Sequence, residues 1–217
     1  MRSRLILLLL SALLALCAAP LLAAAANAQC NNSTKSSNCI RLVGAAGGVA
    51  DPAGLFTVTV RDCVPQGIPG VTVTFDFSAC SDTHVGAQAG QPYAGLTVDP
   101  GTRTVSAITD GSGVARFDIV GAVNPATRGT VAPTNCAKIY ADGVLLSNVT
   151  VNAFDQDGIS GTELADLALW ATDFYSALNQ RRSDYDCNNS VALPDLSIWA
   201  VEYFSQASLS SAGAYAW

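Results

Sequence analysis

Carboxylates recur in this chain at a spacing that suits a hard metal ion. Asp155, Asp157, Glu163 and Asp166 occupy positions 1, 3, 9 and 12 of a twelve-residue loop. A gapless second copy begins at Asp184 and offers Asp186, Asn188, the Ser190 carbonyl and Asp195 at positions 3, 5, 7 and 12. Calcium accepts six to eight oxygens at about 2.3–2.6 Å, and a short loop supplies them when alternate residues turn inward and the next helix delivers the last carboxylate. Asp, Asn and Ser are also ordinary turn and helix-cap residues. The duplication of ligand spacing together with core spacing argues for a paired calcium site holding one or two ions. The loops are unequal: position 5 of the first is Ile159, which brings no side-chain oxygen, and position 9 of the second is Ala192. Position 6, where a left-handed turn is wanted, is Ser160 in one and Asn189 in the other. Asn tolerates that conformation better than Ser, so the second loop is expected to bind more tightly.

A helix must follow each loop to place its last ligand. Leu164, Leu167, Trp170, Ala171 and Phe174 fall at helical intervals, as do Leu193, Leu196, Trp199, Ala200 and Tyr203. Each set covers one face, so the two helices are expected to bury these faces against each other, with both Trp residues as core. Pro194 stands just inside the second helix start, where its missing N–H costs nothing.

Residues 153–205, about a quarter of the chain, resemble the type I dockerin module of secreted bacterial proteins through these Asp-x-Asp…Asp-Leu loops and their repetition. The resemblance implies a small all-α, EF-hand-type module that folds around calcium and docks onto a cohesin-like or other extracellular protein. Its partner-selecting positions are here Leu164-Ala165 and Leu193-Pro194, apolar pairs where cellulosomal dockerins carry hydroxyls.

From about residue 42 to 152 the pattern changes to period-two runs: Phe56, Val58 and Val60, then Val71, Val73, Phe75 and Phe77. Turn signals at Gly67-Ile-Pro-Gly70, Asp99-Pro-Gly101 and Asp110-Gly-Ser-Gly113 separate the runs, which describe a mainly β, antiparallel sandwich of about seven strands. The stretches Phe56–Phe75 and Thr109–Phe117 resemble the bacterial Ig-like domains of invasin-type adhesins, which implies an Ig-like sandwich.

Arg2 and Arg4, an apolar run from Leu5 to Leu22 and the small residues before Gln29 predict a cleaved secretory signal over residues 1–28. Secretion, outside the cell or to its surface, with no membrane insertion after cleavage, is the expected fate. Without Arg2 and Arg4, nine basic residues face seventeen acidic ones, a net charge of −8 that excludes nucleic acid as a natural partner. Cys30, Cys39, Cys63, Cys80, Cys136 and Cys187 remain, enough for three disulfides with fifteen pairings open. Cys30 with Cys39 is the shortest closure, within a separate segment 29–41. Cys187, at loop position 4, points away from the ion and is placed to tether its loop to the preceding domain. A Ser- and Ala-rich tail, 206–217, has no assigned role.

No catalytic constellation stands out. The single histidine, His84, reads as a loop residue without a hydrolase elbow around it. The expected function is non-catalytic attachment through a calcium-folded module. A structural envelope component with an intramolecular calcium clamp and a small polysaccharide-active hydrolase are the alternatives.

Overall fold

A computed structural model describes residues 32–43, 50–127, 134–159, 161–176, 181–205 and 215–217. The expected signal segment, Cys30, Ser160 and tail residues 206–214 lie outside the described residues. The described chain is mainly β. Its strands are β1 (Thr34–Lys35), β2 (Cys39–Leu42), β3 (Phe56–Thr59), β4 (Thr72–Asp76), β5 (Thr83–Val85), β6 (Thr97–Asp99), β7 (Thr104–Ile108), β8 (Val114–Phe117), β9 (Gly121–Val123), β10 (Ala137–Ala141) and β11 (Val144–Ala153). Two helices follow, α1 (Leu164–Tyr175) and α2 (Leu193–Phe204).

Alternation dictates which strand faces are buried. In β3 and β4, Phe56, Val58, Val73 and Phe75 point into the core while the intervening Thr residues stay partly or fully accessible. The sheets have the orders β1-β3-β8, β2-β11-β10-β4-β7-β6 and β5-β9. Phe75 of the six-stranded sheet meets Phe56 and Phe117 of the three-stranded one edge-on, at centroid distances of 5.3 and 4.6 Å. The two sheets therefore share one apolar layer, in which each buried Phe contributes about 1.5–3 kcal/mol. The anticipated turns abut: a side chain on Gly113, whose φ is +77°, would lie 2.5 Å from the Ile68 backbone nitrogen. Asp110 closes that turn by accepting from the Ser112 and Val114 backbone N–H groups at 2.8 and 3.1 Å.

Two features differ from expectation. The segment before residue 42 does not stand apart but supplies β1 and β2, and β2 pairs with β11 in parallel, Val151 opposite Ile40. Parallel pairing needs a long crossover, and here the whole sheet system lies between the partners, so no local pattern signals it. Cys39 is bonded to Cys187, not to Cys30, with a Cα separation of 5.9 Å. Entering the parallel pair carries Cys39 away from its sequence neighbourhood and sets it under the second acidic loop. Cys80 pairs with Cys136, Cα atoms 5.1 Å apart, joining the chain after β4 to the chain before β10. Cys63 is also disulfide-bonded, its partner lying outside the described residues.

Candidate metal centre

β11 runs directly into the first acidic loop, so Phe154 and Asp155 continue from a core strand and are themselves buried. Asp155, Asp157 and Asp166 bring carboxylate oxygens within 4.8 Å of one another, and Asp184, Asp186 and Asp195 do the same in the second loop. Either triad can hold a metal ion. Glu163 is outside the first triad. Asn188 joins the second indirectly, its amide donating to Asp186 Oδ2 at 2.8 Å while its Oδ1 accepts from the Ser190 N–H at 2.8 Å.

The closing aspartates have two roles. Asp166 accepts from the N–H groups of Gln156 at 2.6 Å, Asp157 at 3.1 Å and Glu163 at 2.7 Å. Asp195 repeats this with Asp186 at 2.9 Å and Ala192 at 2.8 Å. Each carboxylate thus reaches back to the residue ahead of its helix, half of a capping box, and ties the start of the loop to its end. Left-handed backbone occurs at position 4 of both loops, Gly158 with φ +70° and Cys187 with φ +64°, and at Asn189 with φ +72°.

These acids sit where a negative charge is costly. Burial, followed by the Asp166 charge, pushes the Asp155 carboxyl up to about 8, and burial pushes Asp166 up to about 7. Asp184 and Asp195 are raised for the same reason. Like charges packed in a desolvated pocket are what a bound cation relieves. The second triad has a neighbouring cation as well: Arg41 on β2 is near enough for Asp186 and Asp195 to oppose the downward push that burial exerts on its guanidinium. Its Nε donates to the Tyr185 carbonyl at 2.7 Å.

Both loops are fastened to the sheets. The Val123 N–H donates to the Asp155 carbonyl at 2.9 Å, and Gly158 packs so closely on the Val123 carbonyl that a Cβ would lie 2.9 Å from it. The second loop is held by the Cys39–Cys187 cystine, by Arg41 and by the Asn152 amide, which donates to the Asp184 carbonyl.

Trp170 and Trp199 are core residues, each 3% exposed. They do not simply pack helix on helix, however. They close on Phe154 and Tyr185, whose rings stack at 4.7 Å, and on Val43 and Val120 from the β region. Leu164 and Leu193 turn outward, 63% and 64% exposed, beside exposed Ala165 and Pro194.

Sequence reasoning missed three participants. Gln156 and Tyr185 sit at position 2 of their loops, where side chains point away from a central ion, and that parity was their only signal. The last described residues return to the sheets: the Ala216 N–H donates to the Val85 carbonyl at 2.7 Å, and the Tyr215 hydroxyl reaches the Gly158 carbonyl at 3.2 Å and Asp155 Oδ2 at 3.5 Å. His84 lies in β5 rather than in a loop; it stacks on Tyr215 and pairs through Nδ1 with the Trp217 carbonyl at 2.5 Å. No helix among the described residues is long and apolar enough to cross a membrane, and the disulfides suit an oxidising compartment.

The chain matches no protein-family model, no curated protein and no solved structure.

Proposed function

We propose that the protein is a secreted, non-catalytic attachment protein whose dockerin-like segment, 153–205, folds around calcium and presents an apolar patch to an extracellular, cohesin-like protein, with an Ig-like sandwich as the attached cargo. The observation that carries this reading is the repetition of one arrangement: three aspartates converge, the last of them caps a helix, and the first residue of that helix, Leu164 or Leu193, faces outward. The donors favour calcium because they are all oxygens; zinc would call for nitrogen or thiolate, and the one sulfur in these loops, on Cys187, is bonded to Cys39. Asp155, Asp157 and Asp166 would hold one ion and Asp184, Asp186, Asn188, the Ser190 carbonyl and Asp195 the other. Bound calcium would supply the positive charge that lets these buried acids ionise, and binding stabilises the fold by RT ln(1 + [Ca]/Kd), about 4 kcal/mol at a thousandfold excess over Kd.

Calcium titration of the processed chain tests the metal step, with two ions bound expected and none contradicting it. Calcium-dependent capture of one secreted partner, abolished by L164D/L193D with calcium binding intact, tests the docking step.

A second reading is supported by the covalent tie of the second loop to β2 and by Val43 and Val120 among the tryptophans. In it the module is an intramolecular clamp within an envelope or extracellular assembly, and calcium stabilises the β region without creating a docking surface. Capture then returns nothing, while calcium raises the melting temperature of the whole chain.

A further inference from the structure

The outward face of β11 carries Asn148, Thr150 and Asn152 at alternate positions, while Val149, Val151 and Ala153 fill the core on its other face. Beside this stripe runs β2, and the second acidic loop closes one end. Together they enclose a cavity of about 540 Å³, within the usual range of about 300–1,000 Å³ for small-molecule sites. Five of the eleven asparagines in the chain line it, a concentration that core packing does not require. The stripe descends from Asn148, which is exposed, through half-buried Thr150 to Asn152, 1% exposed at the closed end. The Asn152 amide nitrogen is used on the Asp184 carbonyl, whereas its Oδ1 is buried without a hydrogen-bond partner. Burying such an acceptor unpaired is costly, which marks this end of the cavity as a place for a ligand donor.

We propose that this cavity binds a neutral saccharide. Side-chain amides and hydroxyls donate and accept at once, the property that pairs with sugar hydroxyls, which do the same. Charge selects against ions: the cavity holds one cation, Lys35, whose Nζ donates to the Asn148 carbonyl at 3.1 Å, and one anion, Asp184, whose carboxylate accepts from the Asn188 and Asn189 N–H groups. An apolar ligand would find little beyond the Cys39–Cys187 cystine. A peptide strand would need one continuous open edge, but β11 gives one side to β10 over Val144–Val149 and the other to β2 over Thr150–Ala153, so neither edge is open along its full length. The site is separate from the metal reading, since Asp184 serves here only as wall.

Asn38 and Asn148 are exposed, and among the described residues their side-chain amides have no hydrogen-bond partner, so they can be altered without disturbing the fold. Isothermal titration and saturation-transfer NMR of the processed, oxidised chain with cellotetraose, xylotetraose and mannotetraose, and with tetraglycine as a peptide probe, test the proposal. At least one tetrasaccharide is expected to bind with a Kd of about 0.1–1 mM. N38A and N148A should each weaken it about fivefold, the loss of one hydrogen bond, with the thermal midpoint unchanged. Absence of binding by all three sugars at about 10 mM, binding indifferent to both variants, or a preference for tetraglycine would each overturn the proposal. Calcium stoichiometry measured on the same sample keeps this result apart from that of the metal centre.

Discussion

Gln156 donates its side-chain amide to the Tyr185 hydroxyl at 2.8 Å, linking position 2 of one acidic loop to position 2 of the other. The same amide reaches Ser183 Oγ at 3.1 Å, and Phe154 stacks on Tyr185. Residues at positions 0 and 2 of each loop therefore pair crosswise with positions 2 and 0 of its copy. The aspartates at positions 1 and 3 point the other way. One strand-like alternation thus serves two purposes, ligands on one side and the seam between the repeats on the other.

Breaking this seam should destabilise the protein without touching a candidate ligand. Tyr185→Phe and Gln156→Leu are each expected to cost about 1–2 kcal/mol in urea denaturation. The double variant should cost less than the two together, a coupling of about 1 kcal/mol. Additive effects would mean that the bond joins nothing.

Asp166→Asn and Asp195→Asn remove the charge and keep one oxygen for the donors at the start of the loop, giving up the bond from the Glu163 or Ala192 N–H. Each should weaken calcium binding at the altered loop by about tenfold or more while the other site retains its affinity. Isothermal titration distinguishes this from a shared site, in which either change would weaken both ions.

Asp118 supplies a pH dependence remote from the loops. Its carboxylate accepts from the Asp51 N–H, and burial, reinforced by the charge of Asp51, pushes its carboxyl up to about 7. The native state therefore holds this proton more tightly than the unfolded chain, whose Asp titrates near 4. Stability from this group is complete below about pH 4 and is lost as pH rises through 7, a difference on the order of 4 kcal/mol. Asp118→Asn preserves the acceptor, and the gap between its melting temperature and that of the wild type should widen from pH 5 to pH 8. Parallel curves would contradict the assignment.

The Cys39–Cys187 bond fixes a non-glycine residue in left-handed backbone beside three aspartates. C39S/C187S should lose about 2–4 kcal/mol of stability. Its calcium affinity should fall at the second loop and hold at the first. Equal losses at both loops would show that the cystine steadies the fold in general and not that loop.

The acid triads and the buried tryptophans were legible because their spacing is local and stated twice. Strands such as β3 and β4 were legible because alternation is local too. The Cys39 pairing, the parallel β2–β11 contact and the return of Tyr215 to β5 were not, for each joins residues far apart in sequence and leaves no periodic trace. The helices were half legible: periodicity placed Leu164 and Leu193 on the apolar face, yet at the first turn that face has already passed the edge of the Trp170–Phe154–Tyr185–Trp199 cluster, and they emerge into solvent.

The bridge between residues 39 and 187, 148 positions apart, turns ten of the eleven described strands and α1 into the interior of a covalent ring. If the protein is pulled from a point ahead of that ring and a point beyond it, the tension crosses from sulfur to sulfur, and the sheets inside feel no stretch. Among the described residues, β1, α2 and the return of Tyr215–Trp217 to the sheets lie in the path of the force, so a tethered molecule would extend by a few nanometres and then hold rigid until the bond is reduced.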